Sequence, residues 1–340
     1  MELGSKIKQL RLKAGITQED LAKEMGVTYQ AISKWENNVC TPDIGLLPKL
    51  SVFFGVTIDD LFDLTTEAKL TRIVHMLEME RELTNDKFTE TVEFLKGQLD
   101  NTERKGRIYS LLAQLYHQRI LSDCETADLY ARKSLIEEPG EKECHWIFQK
   151  TANGAVCDWN AGNRSKLITF YKELVAANPE IGRNYLYLLD NLLADSRTAE
   201  AKQYLKAYEE LSNHTAFQIP IYEGKIALAE HDAAQAEEKF REAEKQFPGD
   251  EGVLFEIAGY YARTCQYEKA VAYYEKSFAL EKKPRYTDAL VGMAAIWEIQ
   301  GNKQKAVECY DRILACLEED YEITEGEPVR LVKAEKERLL

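Results

Sequence analysis

Histidine and cysteine are the residue types best suited to catalysis or metal binding, and neither is grouped in this 340-residue sequence. The five histidines belong to no HExxH motif, and no GxSxG or GxxxxGK(S/T) motif occurs. The seven cysteines include no CxxC pair, and their odd number favours free thiols in a reducing compartment. A metal or redox cluster of Cys144, His145 and Cys157 is one interpretation, but cysteines in helices more often simply pack. The sequence therefore predicts no enzyme, no metal site and no cofactor.

Polar side chains between residues 17 and 37 indicate a different chemistry. Thr17 and Thr28 are typical helix N-caps, and Gly26 between them can supply the positive φ that ends a helix. The pattern predicts one helix over Gln18–Met25 and another from Tyr29 to about Asn37. Two short helices joined by a tight, glycine-containing turn are what a helix-turn-helix requires.

Apolar residues on both sides of this pair would hold it in a small helical bundle. One set recurs at helical spacing in a first helix and another closes the bundle: Leu3, Ile7, Leu10 and Ala14, then Ile58, Leu61 and Phe62. Asp43 is placed to cap a fourth helix that Gly55 ends, and Pro48 inside it is expected to shorten or bend that helix.

The order of residues here resembles the Cro/phage-repressor (xenobiotic-response-element, XRE) helix-turn-helix family. The resemblance rests on Thr17-Gln18-x-x-Leu21-Ala22-x-x-x-Gly26-Val27-Thr28-x-x-x-Ile32-Ser33-x-Trp35-Glu36. It continues through Pro42-Asp43-Ile44 and Phe54-Gly55-Val56, and it covers residues 4–64 almost without a gap. It implies that residues 1–64 bind double-stranded DNA.

The resemblance also implies roles for individual residues. The groove-facing positions of the third helix, which would contact bases, are Thr28, Tyr29, Gln30, Ser33 and Lys34. Glutamine can bond bidentately to adenine, and lysine can donate to guanine O6 and N7. Gln18 and Asn37 match phosphate-contacting positions, and Lys6 is a further candidate, although the lysines of the first helix fit a solvated face equally well. Arg11 and Glu36 match a structural ion pair of the family.

The charge of the chain is uneven. The formal net charge is −14, and residues 1–64 hold only −2 of it, from seven basic and nine acidic residues. The long remainder would be repelled by DNA phosphates. No segment has the apolar length of a signal peptide core or a membrane span, so we expect a cytoplasmic protein without a membrane partner.

Residues 65–106 are expected to form two helices that act as a connector. Their apolar stripes are Leu70, Ile73, Val74 and Leu77, then Phe88, Val92, Leu95 and Leu99. They could supply part of a dimer interface, or they could simply cap the core of the next domain.

A repeat of 34 to 36 residues occupies the C-terminal part. Ala236, Ala270 and Ala306 mark it, each followed four residues later by an aromatic residue and preceded at twelve residues by a small one. This pattern resembles the tetratricopeptide repeat (TPR), in which small residues let paired helices approach and aromatic residues fill the gap to the next pair. Weaker copies lie around Tyr109–Pro139 and Trp146–Pro179. We expect five or six repeats over residues 107–320, closed by a capping helix within 321–340. The predicted fold is therefore all-α, an N-terminal helix-turn-helix bundle followed by a TPR-like α-solenoid.

The repeat register places several polar residues near an inner groove: Arg183, Asn184, Asp190, Asn191, Tyr222, Lys225, Arg263 and Glu298. A DNA-binding head joined to such an array resembles the Rap/Rgg/NprR/PlcR/PrgX group of quorum-sensing regulators. That resemblance implies a homodimer on a palindromic operator, with a short signalling peptide in the groove. An alternative is a protein-interaction scaffold of the antitoxin or anti-activator type, whose repeats hold a protein partner while the head tethers it to DNA.

Overall fold

A computed structural model of the chain describes residues 3–62, 65–80, 82–100, 104–152 and 164–340. These residues form helices, turns and loops, with no strand among them, which confirms the predicted all-α fold class. Contacts divide the chain into two compact units, residues 1–139 and 140–340, and each is described by itself.

The first unit begins with a bundle of short helices. They are α1 (Leu3–Lys13), α2 (Gln18–Met25), α3 (Tyr29–Glu36), α4 (Leu47–Phe54) and α5 (Ile58–Leu61). The N-cap residues Thr17 and Thr28 mark the starts of α2 and α3, as predicted. The Thr17 hydroxyl accepts from the Asp20 amide while the Asp20 carboxylate accepts from the Thr17 amide, and Gly26 ends α2 at φ 74°.

The fourth helix differs from the sequence-based expectation. Asp43 caps a single 3₁₀ turn, Ile44–Leu46, and α4 begins only after it. Pro48 therefore lies in the first turn of α4, where no backbone donor is needed and a fixed φ suits the helix. Of the two expected effects of Pro48, shortening is observed, because α4 starts at Leu47 rather than directly after Asp43.

Close packing of α1 against α3 gives the bundle its core. Ile7, Leu21 and Ile32 are fully buried in it. The two helices approach so closely at Gly4 that an added Cβ would lie 1.7 Å from the carbonyl oxygen of Trp35. Only glycine fits at this position, because the obstructing atom belongs to the backbone.

The predicted connector forms α6 (Thr66–Met79) and α7 (Asn85–Gln98), followed by the long helix α8 (Lys105–Glu137). Leu70, Val92 and Leu95 pack with Ile108 and Leu115 from the first half of α8. The weak repeat copy expected around Tyr109–Pro139 was wrong, since this segment is one continuous helix. No glycine or proline occurs between Gly106 and Pro139 to interrupt it.

The second unit consists of consecutive helices, and each one after the first packs on the next in chain order. They are α9 (Lys142–Thr151), α10 (Ser165–Ala177), α11 (Gly182–Ala194), α12 (Thr198–Glu209), α13 (Gln218–Ala229), α14 (Ala233–Gln246), α15 (Glu251–Arg263), α16 (Tyr267–Leu280), α17 (Asp288–Ile299), α18 (Lys303–Tyr321) and α19 (Glu327–Leu339). Four pairs, from α11/α12 to α17/α18, are joined by three-residue turns. The middle residue of each turn has positive φ: Ser196, His231, Cys265 and Gly301.

Small residues and aromatic rings interlock within this solenoid, as the repeat pattern predicts. Ala236, Ala270 and Ala306 are completely buried. A Cβ added at Gly224 would lie 2.9 Å from the ring of Phe240. The absence of a side chain at this position lets the aromatic ring of one helix reach the partner helix.

The last helix, α19, closes the end of the solenoid by packing on α18. Val329 of α19 is buried, and Arg338 donates to Glu298 of α17 at 2.6 Å. These contacts cover the apolar face that the final repeat would otherwise expose, which is the expected role of a terminal cap.

Gly4→Ala tests the close approach of α1 and α3. We expect it to lower the free energy of opening of the bundle by about 1–3 kcal/mol, because the added methyl group must displace the backbone rather than a flexible side chain. Hydrogen exchange of the α1–α3 amides measures this. Gly97→Ala, at an exposed position of α7 with no atom within 4 Å of an added Cβ, is the control and should be neutral or stabilising. Equal exchange in the two variants would contradict the packing described.

Candidate nucleic-acid interface and inner groove

The third helix presents one polar face to solvent. Tyr29, Gln30 and Lys34 are exposed, and Ser33 is half-buried. The opposite face is held in the core by Ile32 and Trp35. The helix thus stands on a packed base with its polar side chains outward, which is the arrangement a major-groove reading helix needs.

A buried charge cluster fixes this helix against its neighbours. The Arg11 guanidinium donates to both carboxylate oxygens of Glu36, at 2.6 and 3.0 Å, and to the Ile16 carbonyl at 2.8 Å. Gln18 donates to the same carboxylate at 2.7 Å. Both charged residues are buried. The start of α2 and the end of α3 are therefore tied to α1 through one carboxylate.

Opposing effects act on the pKa of Glu36. Burial alone would raise the pKa, but the donated hydrogen bonds from Arg11 and Gln18, with the positive charges of Arg11 and Lys8, outweigh it and lower the pKa. The Glu36 hydrogen bond raises the pKa of Arg11 in turn. The pair is therefore ionised at neutral pH, and its hydrogen bonds are charge-assisted.

Other predicted DNA-contacting residues have structural partners as well. The Thr28 hydroxyl caps α3 by accepting from the Ala31 amide, at 3.3 Å. Exposed Asn37 donates to the Ser33 carbonyl at 2.8 Å. Lys6 is half-buried. The hydrogen bonds of Thr57 lower the pKa of Asp60 in α5, and the nearby positive charge of Lys6 adds to that shift, so Lys6 lies on the α1–α5 side.

Asn38 is a positioning residue that the sequence analysis missed. It adopts φ 55°, accepts from the Gly4 amide at 3.0 Å and donates to the Ser5 hydroxyl at 3.1 Å. It thereby ties the start of α1 to the loop that follows α3. The tolerance of asparagine for left-handed backbone just after a helix end was the available signal.

A groove of about 700 Å³, called the inner groove below, is lined by residues of α11, α13 and α15, with one residue each from α14 and α16. Of the residues predicted to face such a groove, Asp190, Lys225 and Arg263 line it. Phe240 and Tyr260, stacked at 4.4 Å, contribute to its wall. The lining is mainly apolar and aromatic, with a few charged groups, as in many ligand sites.

The remaining predicted groove residues have other positions. Tyr222 is buried, and its hydroxyl donates to Asp190 at 2.9 Å; burial, then the Asp190 charge, raises its pKa far above the ordinary value. Asn191 donates to the Tyr187 carbonyl of its own helix, at 2.8 Å. Glu298 accepts from Tyr310 and Arg338 near the cap. Arg183 and Asn184 lie on α11 but are not among the residues that line the groove.

The cysteines show no pairing among the described residues. Cys40 and Cys265 are exposed, Cys309 and Cys316 are buried, and Cys144 is half-buried. Cys157, part of the cluster considered from sequence, lies outside the described residues. Where the structure describes the chain, no group of three or more histidine, cysteine or acidic residues could hold a metal ion. No helix in the same residues is long and apolar enough to cross a membrane.

The fold and this site define a DNA-binding head of the helix-turn-helix class. The helix-turn-helix family model HTH_3 matches residues 7–61. The regulator MJ0272 of Methanocaldococcus jannaschii is 43% identical over 58 residues, 17% of this chain and 88% of that protein. ImmR of Bacillus subtilis is 30% identical over 98 residues, 29% of this chain and 71% of that protein. The chain belongs to the helix-turn-helix family of transcriptional regulators.

Similarity to other proteins extends unevenly along the chain. The activator BcrR of Enterococcus faecalis is 46% identical over 61 residues, but the match spans only 30% of its length. Among solved structures, Bacillus thuringiensis PlcR with the peptide PapR7 and DNA is 13% identical, with 100% of this chain and 99% of that chain covered and a TM-score of 0.26. ComR from S. thermophilus, with DNA and its signalling peptide, is 12% identical, with 99% of both chains covered and a TM-score of 0.22. With scores this low, neither structure assigns a ligand or partner to this chain.

Arg11→Ala tests the buried cluster. We expect it to destabilise the bundle by about 3–5 kcal/mol, because the Glu36 carboxylate would remain buried without its counter-charge. The double variant Arg11→Met/Glu36→Leu removes both charges and should be markedly more stable than the single variant. Hydrogen exchange of the α3 amides compares them. A single variant that is as stable as the parent chain would show that the pair does not hold α3 in place.

Proposed function

We propose that this chain is a sequence-specific regulator whose helix α3 enters the major groove of DNA. The observation that carries the proposal is the exposed polar face of α3 on a base fixed by the Arg11–Glu36 pair. Gln30 and Lys34 would read bases, with Thr28, Tyr29 and Ser33 beside them. Gln18 and Asn37, and Lys6 from the α1 side, would contact phosphates. Such contacts set the register without reading sequence.

We further propose that the protein acts as a cytoplasmic homodimer. The seven basic residues of the head are outnumbered by nine acidic ones, so one head is attracted only weakly to DNA phosphates. Two heads would read half-sites of a palindrome spaced by one helical turn of DNA or a multiple of it. In this proposal residues 1–64 bind DNA, 65–106 connect, the repeats within 107–320 sense a ligand, and 321–340 cap the solenoid.

The inner groove supports the sensing role. It combines aromatic walls with the charged groups Asp190, Lys225 and Arg263 in a volume suited to a small ligand or peptide segment. A ligand would control the regulator if it bound one dimer arrangement more tightly than another. A peptide is the occupant we propose; a stoichiometric protein partner in its place would instead support the scaffold function.

Base reading is tested by variants of the exposed face of α3. A duplex is first selected from a random pool by the full chain at low salt, and Gln30→Ala and Lys34→Ala are then compared on its single-base variants. Each should lose about 1–3 kcal/mol of discrimination at one base position, because a specific pair is removed. Lys49→Ala, at an exposed position of α4, is the control and should keep the preference. Selection of no duplex, or unchanged preferences in both α3 variants, would overturn the proposal.

Dimer and ligand are tested together by native mass spectrometry of the chain purified from its own host. We expect a species of twice the 39.0 kDa chain mass, with an additional small mass that tandem fragmentation identifies as a peptide. A monomer at all concentrations would contradict the dimer. Retention of a second protein in fixed ratio, with no peptide, would contradict the sensing role.

A further inference from the structure

One charged side chain of the inner groove lacks a partner. Arg263, at the end of α15, is exposed and lines the groove. Among the described residues, no hydrogen bond or ion pair reaches its guanidinium. A guanidinium beside aromatic walls is well suited to hold a carboxylate, because its parallel N–H groups match the two oxygens.

The other charges of the groove are arranged differently. Lys225 is paired with Glu256 at 2.9 Å and lies over the Tyr222 ring. The positive charge of Lys225 is therefore already balanced by a residue of the protein. Asp190, on α11 across the groove, accepts only the Tyr222 hydroxyl among its described neighbours and has no cation partner there. The groove therefore has an available negative group on one wall and an available positive group on the other.

A glycine at the groove wall adds an independent indication of a ligand. Gly259 lies within α15, where glycine destabilises a helix relative to alanine. At Gly224 and Gly292 an added Cβ would lie within 3 Å of an aromatic ring, so packing requires glycine there. At Gly259 the nearest atom, the Tyr274 hydroxyl oxygen, would be 4.0 Å away. The chain itself does not need glycine here, whereas a ligand backbone approaching the helix would.

The spacing of the helices limits the length of such a ligand. Helices packed side by side have axes about 8–10 Å apart, so α11 and α15, with α13 between them, are separated by about 18 Å. An extended chain advances about 3.3–3.6 Å per residue. A segment that reaches from Asp190 to Arg263 would therefore hold about five or six residues.

We propose that the groove binds a short linear peptide whose C-terminal carboxylate pairs with Arg263. Its N-terminal ammonium faces Asp190, and the backbone next to its C-terminus passes over Gly259, one helical turn from Arg263. The inference rests on the proposed sensing function and adds the polarity and length of the ligand. An acidic side chain would offer Arg263 the same chemistry as a terminal carboxylate, so the experiment separates the two sources.

The experiment uses the full chain and synthetic peptide pools. Randomised peptides of four to eight residues are prepared with free ends, with an amidated C-terminus and with an acetylated N-terminus, and bound peptides are identified by mass spectrometry. We expect enrichment of five- and six-residue peptides from the free pool, and about 10- to 100-fold weaker binding of the same peptides once amidated. Acetylated versions should also bind more weakly, because Asp190 loses its counter-charge.

Variants connect this preference to the two residues. Arg263→Gln should bind the free and the amidated peptide equally, and Lys245→Gln, an exposed lysine of α14, should keep the difference. Gly259→Ala should raise the melting temperature while weakening peptide binding, an outcome that unfolding cannot mimic.

Each alternative outcome has a definite meaning. Equal enrichment of free and amidated peptides in the parent chain would overturn the carboxylate pairing and leave peptide sensing standing. Enrichment that depends on an internal acidic residue would replace the terminal carboxylate by a side chain and overturn the proposed orientation. Enrichment from no pool would overturn the inference together with the sensing function, and a Gly259→Ala variant with full affinity would contradict the close approach at α15.

Discussion

The buried carboxylate of Glu36 is the point on which the DNA-binding head depends. It accepts two hydrogen bonds from Arg11 of α1 and one from Gln18 of α2, while it belongs to α3. A buried charge is tolerated only when its partners are in place, so these three helices have one favourable arrangement. Gly4 and Asn38 also fix the position of α3 relative to α1, because they bring the α1 backbone against the end of α3. The exposed side chains of α3 therefore project from a rigid base, as a site that reads base edges requires.

The solenoid achieves order by different means. Fully buried alanines and the bare backbone at Gly224 and Gly292 admit aromatic rings between helices, so stability comes from close packing. Polar groups within and beside this packing have partners: Tyr222 donates to Asp190, Lys225 pairs with Glu256, and buried Ser277 donates to the Glu251 carbonyl. The charged residues of the groove, Asp190, Lys225 and Arg263, lie on these packed helices and face the groove. A ligand could therefore bind them without disturbing the core.

The sequence predicted the features that depend on local chemistry. Capping residues such as Thr17 and Thr28 gave the bounds of α2 and α3, and the spacing of Ala236, Ala270 and Ala306 gave the repeats. Features that depend on distant contacts were missed. The start of α4 was missed because the 3₁₀ turn before it was not foreseen, and no spacing rule indicated that Glu256 would pair with Lys225 or that Gly259 would line the same groove. The turns of the solenoid were hidden because Ser196, His231 and Cys265 adopt positive φ without being glycine.

The central claim is that α3 faces DNA while the acidic solenoid does not. Site-specific photo-crosslinking tests it most directly. A photoreactive aromatic residue replaces exposed Tyr29 on α3 in one full-length variant and exposed Tyr286 of the solenoid in another. With a duplex selected by the parent chain, the account predicts crosslinks to base atoms from position 29 and none from position 286. Crosslinking from position 286 with none from position 29 would contradict it.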